Sequence, residues 1–159
     1  MNTTPVQIEV NGEEHRFEVS GLEVLLDTLR DRLDLTSVRG TCGIGICGTC
    51  TVLVDGRLES GCLTLTASAD GRSVVTSEGL VEGGQLSNVQ QAFVDAGAYQ
   101  CSFCIPGFVL AVHAGLREMP SASAEDMRHY LAGNLCRCGT YPQIMDAVER
   151  LLGQREGAR

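Results

Sequence analysis

The sequence predicts an α+β protein whose strands and helices are segregated, because three features change at the same place. Period-two hydrophobic alternation broken by Asn-Gly and Asp-Gly turns is confined to the first half. Helical periodicity dominates after Ser77. The eight cysteines also divide there, with Cys42, Cys47, Cys50 and Cys62 before the change and Cys101, Cys104, Cys136 and Cys138 after it. Two domains with four thiols each is the economical reading.

In the first half, Val6, Ile8 and Val10 alternate with polar residues, Asn11-Gly12 supplies a tight turn, and Phe17 and Val19 lie on the returning strand. From Leu22 to Leu33, the residues Leu22, Leu25, Leu26, Leu29 and Leu33 fall mostly at intervals of three and four, which predicts a helix covering the sheet. Thr51 to Val54, Asp55-Gly56, Leu58 and Leu63 to Leu65 read as a second hairpin, and Ser73 to Thr76 as a closing strand. The segment from Gly40 to Cys50 is too rich in glycine for either regular structure and must be a loop.

Gly79, Gly83 and Gly84 mark a linker, taken as residues 79–85 between a first domain at 1–78 and a second at 86–153. Four short helices are expected in the second domain. The first carries Leu86, Val89, Ala92, Phe93 and Ala96; the second, opened by Pro106, carries Phe108, Val109, Val112 and Leu116. Ser123 with Asp126 resembles an N-terminal cap for a third helix running through Leu131 and stopped by Gly133. Pro142 opens a fourth with Ile144, Met145, Val148, Leu151 and Leu152, leaving residues 154–159 as a solvated tail.

Twelve basic against twenty acidic residues give a net charge of −8, which disfavours nucleic acid and anionic membrane surfaces as partners. Met1 to Val6 lacks the layout of a secretory signal, and no apolar run approaches the roughly 18 residues that span a bilayer. A cytoplasmic protein is expected. Clustered thiols in a reducing compartment then point to metal binding or catalysis rather than to a disulfide framework.

Cys42, Cys47 and Cys50 have the spacing C-x4-C-x2-C with Cys62 downstream, the arrangement of plant-type ferredoxins, and four thiolates there can hold a [2Fe-2S] cluster. Gly43, Gly45 and Gly48 let the backbone aim N–H donors at sulfur. A structural zinc site is the plainer alternative, but zinc ribbons usually present two close C-x2-C pairs, whereas here three cysteines share one loop. The second set is C-x2-C, then 31 residues, then C-x-C. Zinc, a redox disulfide and a second cluster all fit that spacing. Both pairs precede a proline-opened helix, where an anionic group is favoured.

The motifs C-G-I-G-I-C-G-T-C-T-V at Cys42 to Val52, Q-C-S-F-C-I-P-G at Gln100 to Gly107 and G-N-L-C-R-C-G-T-Y at Gly133 to Tyr141 together resemble the small iron-sulfur subunit of the molybdenum hydroxylases, the xanthine oxidase and aldehyde oxidoreductase family. The resemblance covers nearly the whole chain. It implies a β-grasp ferredoxin-like domain followed by an all-α four-helix [2Fe-2S]-binding domain. It implies further that Cys42, Cys47, Cys50 and Cys62 ligate an outer cluster, and that Cys101, Cys104, Cys136 and Cys138 ligate an inner one beside the molybdopterin cofactor of a large molybdenum subunit. Gln100 matches the glutamine that hydrogen-bonds the pterin, and Cys138 the ligand nearest it. Electrons would pass from molybdenum through pterin, inner cluster and outer cluster to an external acceptor or a flavin (FAD) subunit, and this chain would carry no catalytic residue.

Some positions depart from the commonest pattern. Thr41 and Ser102 replace glycine, Ile105 replaces threonine, and Gly139-Thr140 reverses Thr-Gly. No departure removes a ligand. The C-R-C-G-T-Y form is similar to isoquinoline-oxidoreductase-like members, several of which lack a flavin subunit. His15, His113 and His129 read as ordinary residues, since a Rieske-type site needs two histidines paired with two cysteines. Tyr99 and Phe103 read as packing around sulfur. Arg137, between two thiols, either tunes a potential or offsets negative charge. A freestanding ferredoxin-like shuttle and a zinc-stabilised interaction module are the competing functions; the four-helix half argues against the shuttle, because a soluble carrier needs only one exposed cluster, and a metal assay tests the zinc module. Aldehydes, purines, other N-heterocycles and carbon monoxide are all open as substrates of the assembled enzyme.

Overall fold

A computed structural model describes residues 3–156. The first half is a five-stranded sheet of β1 (Thr3–Val10), β2 (Glu13–Ser20), β3 (Thr51–Val54), β4 (Arg57–Ser60) and β5 (Ser73–Val75), in the order β2-β1-β5-β3-β4. Both hairpins turn as their sequences require. Asn11 and Gly12, at φ +52° and +86°, and Asp55 and Gly56, at +48° and +78°, adopt the left-handed conformations of a two-residue hairpin loop. The sheet is mixed, because β5 runs parallel to β1 and antiparallel to β3.

Val6, Ile8, Val10 and Val19 turn inward against Leu25, Leu26 and Leu29. These leucines lie on a short helix, α1 (Leu25–Asp27), which widens into a π-helical turn at Thr28–Arg32. The helix expected from Leu22 therefore starts three residues later, and Leu22 is 88% exposed. The cause is pairing: Val24 bridges Leu65, and the Leu25 amide donates to the Thr64 carbonyl at 2.8 Å. The same pairing removes the expected strand at Leu63 to Leu65, where Leu65 makes only that bridge before a 3-10 turn at Thr66–Ala69.

The second half contains α2 (Asn88–Asp95), α3 (Ile105–Glu118), α4 (Ala124–Tyr130) and α5 (Tyr141–Glu156). Ser123 and Asp126 form the expected capping box at α4, and Ser87 with Gln90 forms a second one at α2. That cap places Leu86 outside the helix, where it is half exposed, so the stripe begins at Val89. Helix α5 runs on to Glu156, and Arg155 Nη2 donates to the Leu116 carbonyl at 2.6 Å, so Gln154, Arg155 and Glu156 belong to a helix rather than to a tail. Residues 157–159 of that expected tail lie outside the described residues.

Strand β3 joins the two halves. Val52 and Val54 point into the core beneath the sheet, while Leu53 points the other way into the core formed by the helices. The segment read as a linker is also tied down. Leu80 is buried in the helical core, and the Glu78 carboxylate accepts from the amide and hydroxyl of Ser37 and from the Thr76 hydroxyl. Burial opposes ionisation of Glu78, but those three hydrogen bonds outweigh it and hold the carboxyl below its usual range.

Candidate metal centres

All eight cysteines are free thiols, and the contacts between their sulfurs fall within the two sets into which the sequence divides them. The loop from Cys42 to Cys50 wraps between the π-helical turn and β3, with Gly43, Gly45 and Gly48 at φ between +68° and +72°. This curvature turns the amides of Ile44, Ile46 and Cys47 toward the Cys42 sulfur. Those donors, led by Ile44, stabilise the thiolate and bring Cys42 down to about 6. Cys62 is delivered from beyond β4 by the Gly61 amide, which donates to the Cys50 carbonyl at 3.0 Å. Within this set the sulfurs meet two by two, Cys42 with Cys47 and Cys50 with Cys62. Cys50 is buried, and desolvation pushes its thiol up to about 11.

The second set forms two layers. Cys101 and Cys138 are exposed, with their sulfurs 3.4 Å apart, while Cys104 and Cys136 pair beneath them and are buried. The amide of Phe103 donates to Cys101 and lowers it. Cys138, sharing its proton with Cys101, is raised. Burial lifts Cys104 to about 12. Cys136 is also desolvated, yet donors from Thr140 outweigh that effect and lower it; the Thr140 amide lies 3.4 Å from its sulfur. Gly139 has φ +78°, so the Gly-Thr order puts the residue without a Cβ at the left-handed position and the threonine against sulfur. A cavity of about 430 Å³ opens between the sets, lined by Cys47, Cys101, Cys104, Cys136 and Cys138.

The two sets are joined directly. The Leu135 amide donates to the Cys47 carbonyl at 3.0 Å, and the buried Asn134 side chain donates to the Gly48 carbonyl at 3.1 Å. Tyr141 braces the inner loop from behind, its hydroxyl accepting from the Cys136 amide at 2.8 Å. Gln100 lies on the exposed side of the second set, and its Nε2 donates to the Cys138 carbonyl at 3.0 Å. Tyr99, Phe103, Leu135 and Tyr141 are each more than two-fifths exposed on this half. The three histidines are placed elsewhere: His15 stacks on Phe17 in β2, His113 is half-buried in α3, and His129 on α4 pairs with Glu125.

Arg39, Asn134 and Tyr141 have structural roles that the spacing of cysteines did not assign. The signal available for two of them was their place inside the motif from Gly133 to Tyr141; for the Arg39 side chain there was none, because Ser102, to which it donates, lies 63 residues away.

Four sulfurs per set, paired two and two and supplied with backbone donors, suit a group in which each of two metal atoms takes two thiolates. Residues 8–76 match the family described as a 2Fe-2S iron-sulfur cluster binding domain, and residues 76–149 match the [2Fe-2S] binding domain family. The chain is thus built from two [2Fe-2S]-binding domains in tandem. It is 42% identical to the nicotine 6-hydroxylase small subunit of Paenarthrobacter nicotinovorans over 94% of this chain and 90% of that one. Its structure superposes on that of quinoline 2-oxidoreductase from Pseudomonas putida 86 with a TM-score of 0.89 and 37% identity, covering 93% of this chain and 91% of that one. The aldehyde oxidoreductase of Desulfovibrio gigas gives a TM-score of 0.90 and 35% identity over 98% of this chain, but only 18% of its own. The chain belongs to the family of iron-sulfur subunits of the molybdenum hydroxylases. Among the described residues no helix is long and apolar enough to cross a membrane.

Proposed function

We propose that this chain conducts electrons between a molybdopterin-bearing large subunit, docked on the face of Gln100 and Cys138, and an acceptor at the opposite thiol set. Cys101, Cys104, Cys136 and Cys138 hold the inner [2Fe-2S] cluster; Cys42, Cys47, Cys50 and Cys62 hold the outer one. When bound, the clusters supply one-electron redox chemistry. The observation that carries the reading is the hydrogen bond from Leu135 to Cys47, because Leu135 is bonded to Cys136 and so a single 3.0 Å contact separates the backbone of one thiol set from that of the other.

The residues around the sulfurs do the rest of the work. Amides of Ile44, Ile46, Cys47 and Phe103 lend partial positive charge to thiolates, which favours an anionic cluster and helps set its potential. Leu53, Phe108 and the buried thiols keep water from the inward side. Gln100 Nε2 spends one hydrogen on Cys138, leaving its second hydrogen and its oxygen for a polar ring on the partner. The exposed aromatic and aliphatic side chains around it suit a buried interface. That the Desulfovibrio protein is matched over only 18% of its length supports a large polypeptide as partner, since there the same fold is continuous with a much longer chain. A flavin subunit or a free external acceptor then takes electrons from the outer set, and placement in the cytoplasm fits the reduced thiols such assembly needs.

Iron and acid-labile sulfide in the purified protein should each approach about four per chain, with two distinct paramagnetic signals after reduction. Stoichiometric zinc without sulfide would refute the assignment.

A further inference from the structure

Ser102 sits between Cys101 and Cys104 with φ +62°, a left-handed conformation that residues bearing a Cβ resist. Glycine is the residue that this place ordinarily calls for, so something must hold the serine there. The holding contact comes from the other half of the molecule. Arg39 Nη1 donates to the Ser102 carbonyl at 2.6 Å, and the guanidinium lies 5.1 Å from the centre of the Phe103 ring. A planar cation that donates at its edge while covering a ring with its face fixes two consecutive residues of the inner loop together.

The other end of Arg39 is anchored in the outer loop. Its amide donates to the Thr49 carbonyl at 3.1 Å, and the Thr49 hydroxyl donates back to the Arg39 carbonyl at 2.8 Å. The same hydroxyl oxygen lies 3.2 Å from the Cys47 sulfur and 3.0 Å from the Thr41 hydroxyl. Thr49 stands between Cys47 and Cys50, so Arg39 is gripped by the residue whose position depends on the outer thiols being in place.

We propose that Arg39 is a positioning residue that transmits the order of the outer thiol loop to the inner one, holding Ser102 left-handed so that Cys101 and Cys104 present their sulfurs together. Completion of the inner site therefore depends on the outer loop. Without the clamp Ser102 relaxes toward an extended backbone, which rotates the Phe103 amide away from Cys101. The inference rests on the two thiol sets being the two cluster sites proposed above.

The test uses four full-length proteins purified in the assembly they form natively: wild type, Arg39→Met, Ser102→Gly, and the double variant. Iron, sulfide and the two reduced-state paramagnetic signals are measured, and the signal that a Cys136→Ser variant loses identifies the inner set. Arg39→Met keeps an apolar stem over Phe103 but removes the donor. It is expected to lose the inner signal and roughly half the iron while keeping the outer signal. Ser102→Gly alone should resemble wild type, and in the Arg39→Met background it should restore the inner signal, because glycine reaches the left-handed conformation unaided. Retention of both signals in Arg39→Met, or a double variant as depleted as Arg39→Met, overturns the inference. Loss of both signals that Ser102→Gly does not reverse overturns it too. A wild-type chain without iron and sulfide would instead refute the cluster reading itself.

Discussion

Gly107, in the first turn of α3, lies directly against the carbonyl oxygen of Gly48 in the outer thiol loop, so close that a Cβ on Gly107 would fall on that oxygen. The Gly48 carbonyl also accepts from Asn134 and from the Thr51 hydroxyl. One peptide unit thus receives the helical half from two directions. The two thiol sets owe their proximity to this contact between backbones, which no side chain could replace.

Gly107→Ala should therefore destabilise the protein, against the usual direction for a helix. Replacing an exposed helical glycine by alanine ordinarily gains roughly 0.5–1 kcal/mol, whereas overpacking costs about 1–3 kcal/mol, and backbone against backbone cannot relax cheaply. Gly153, on α5 with nothing near its would-be Cβ, is the internal control, and Gly153→Ala should raise the denaturation midpoint. Equal effects of the two substitutions would contradict the close packing.

Asn134→Leu removes a buried donor and leaves the Gly48 carbonyl with the Thr51 hydroxyl as its remaining partner, a loss of about 0.5–1.5 kcal/mol. Urea unfolding measures it. Because Leu135 follows directly, the variant should also perturb the spectra of both thiol sets rather than of one.

Glu78 predicts a pH dependence. Its carboxyl ionises more readily folded than unfolded, where the ordinary value is 4.5, so its contribution is present above that value and is lost as pH falls through the lower folded value. Glu78→Gln should cost about 1–2 kcal/mol near neutrality, at the lower end for hydrogen bonds to a charge since the group is partly exposed. The gap between wild type and variant should be flat from neutral pH down to about 5.5 and close below the unfolded value. A gap that widens on acidification would reverse the sign of the argument.

Gln100→Ala should leave iron and sulfide unchanged while weakening association with the large subunit or slowing reduction by substrate. Its present bond to Cys138 is a single neutral hydrogen bond between the two exposed loops of the second set, so its loss should cost about 0.5–1.5 kcal/mol of stability at most. Unchanged assembly and unchanged reduction would limit the side chain to tying the Gln100 loop to the Cys138 loop.

Much of this molecule is determined locally. Asn11-Gly12 and Asp55-Gly56 specify their hairpins because their left-handed turns need no distant partner. Ser123 caps α4 through a bond three residues long, and Pro106 and Pro142 open helices for reasons contained in one ring. The division of the cysteines into two sets was equally legible, since loop spacing alone brings Cys42, Cys47 and Cys50 together. What the spacing could not show is how the sulfurs pair, or that Cys101 and Cys138 form the exposed layer and Cys104 and Cys136 the buried one.

The remainder was settled only by contacts across the chain. Leu22 has the periodicity of a helix, but pairing of Val24 with Leu65 pulls it out. Gly79 reads as linker, yet its role is to leave room for the Asn11 side chain, which hydrogen-bonds Thr76. Leu53 cannot reveal from sequence that it faces a different core from its neighbours Val52 and Val54. Arg39 reaches Ser102, and Leu135 reaches Cys47, over separations at which sequence carries no trace of distance. Local patterns record what a residue prefers within a turn or two, whereas the meeting of the two thiol sets depends on long-range packing between folded halves.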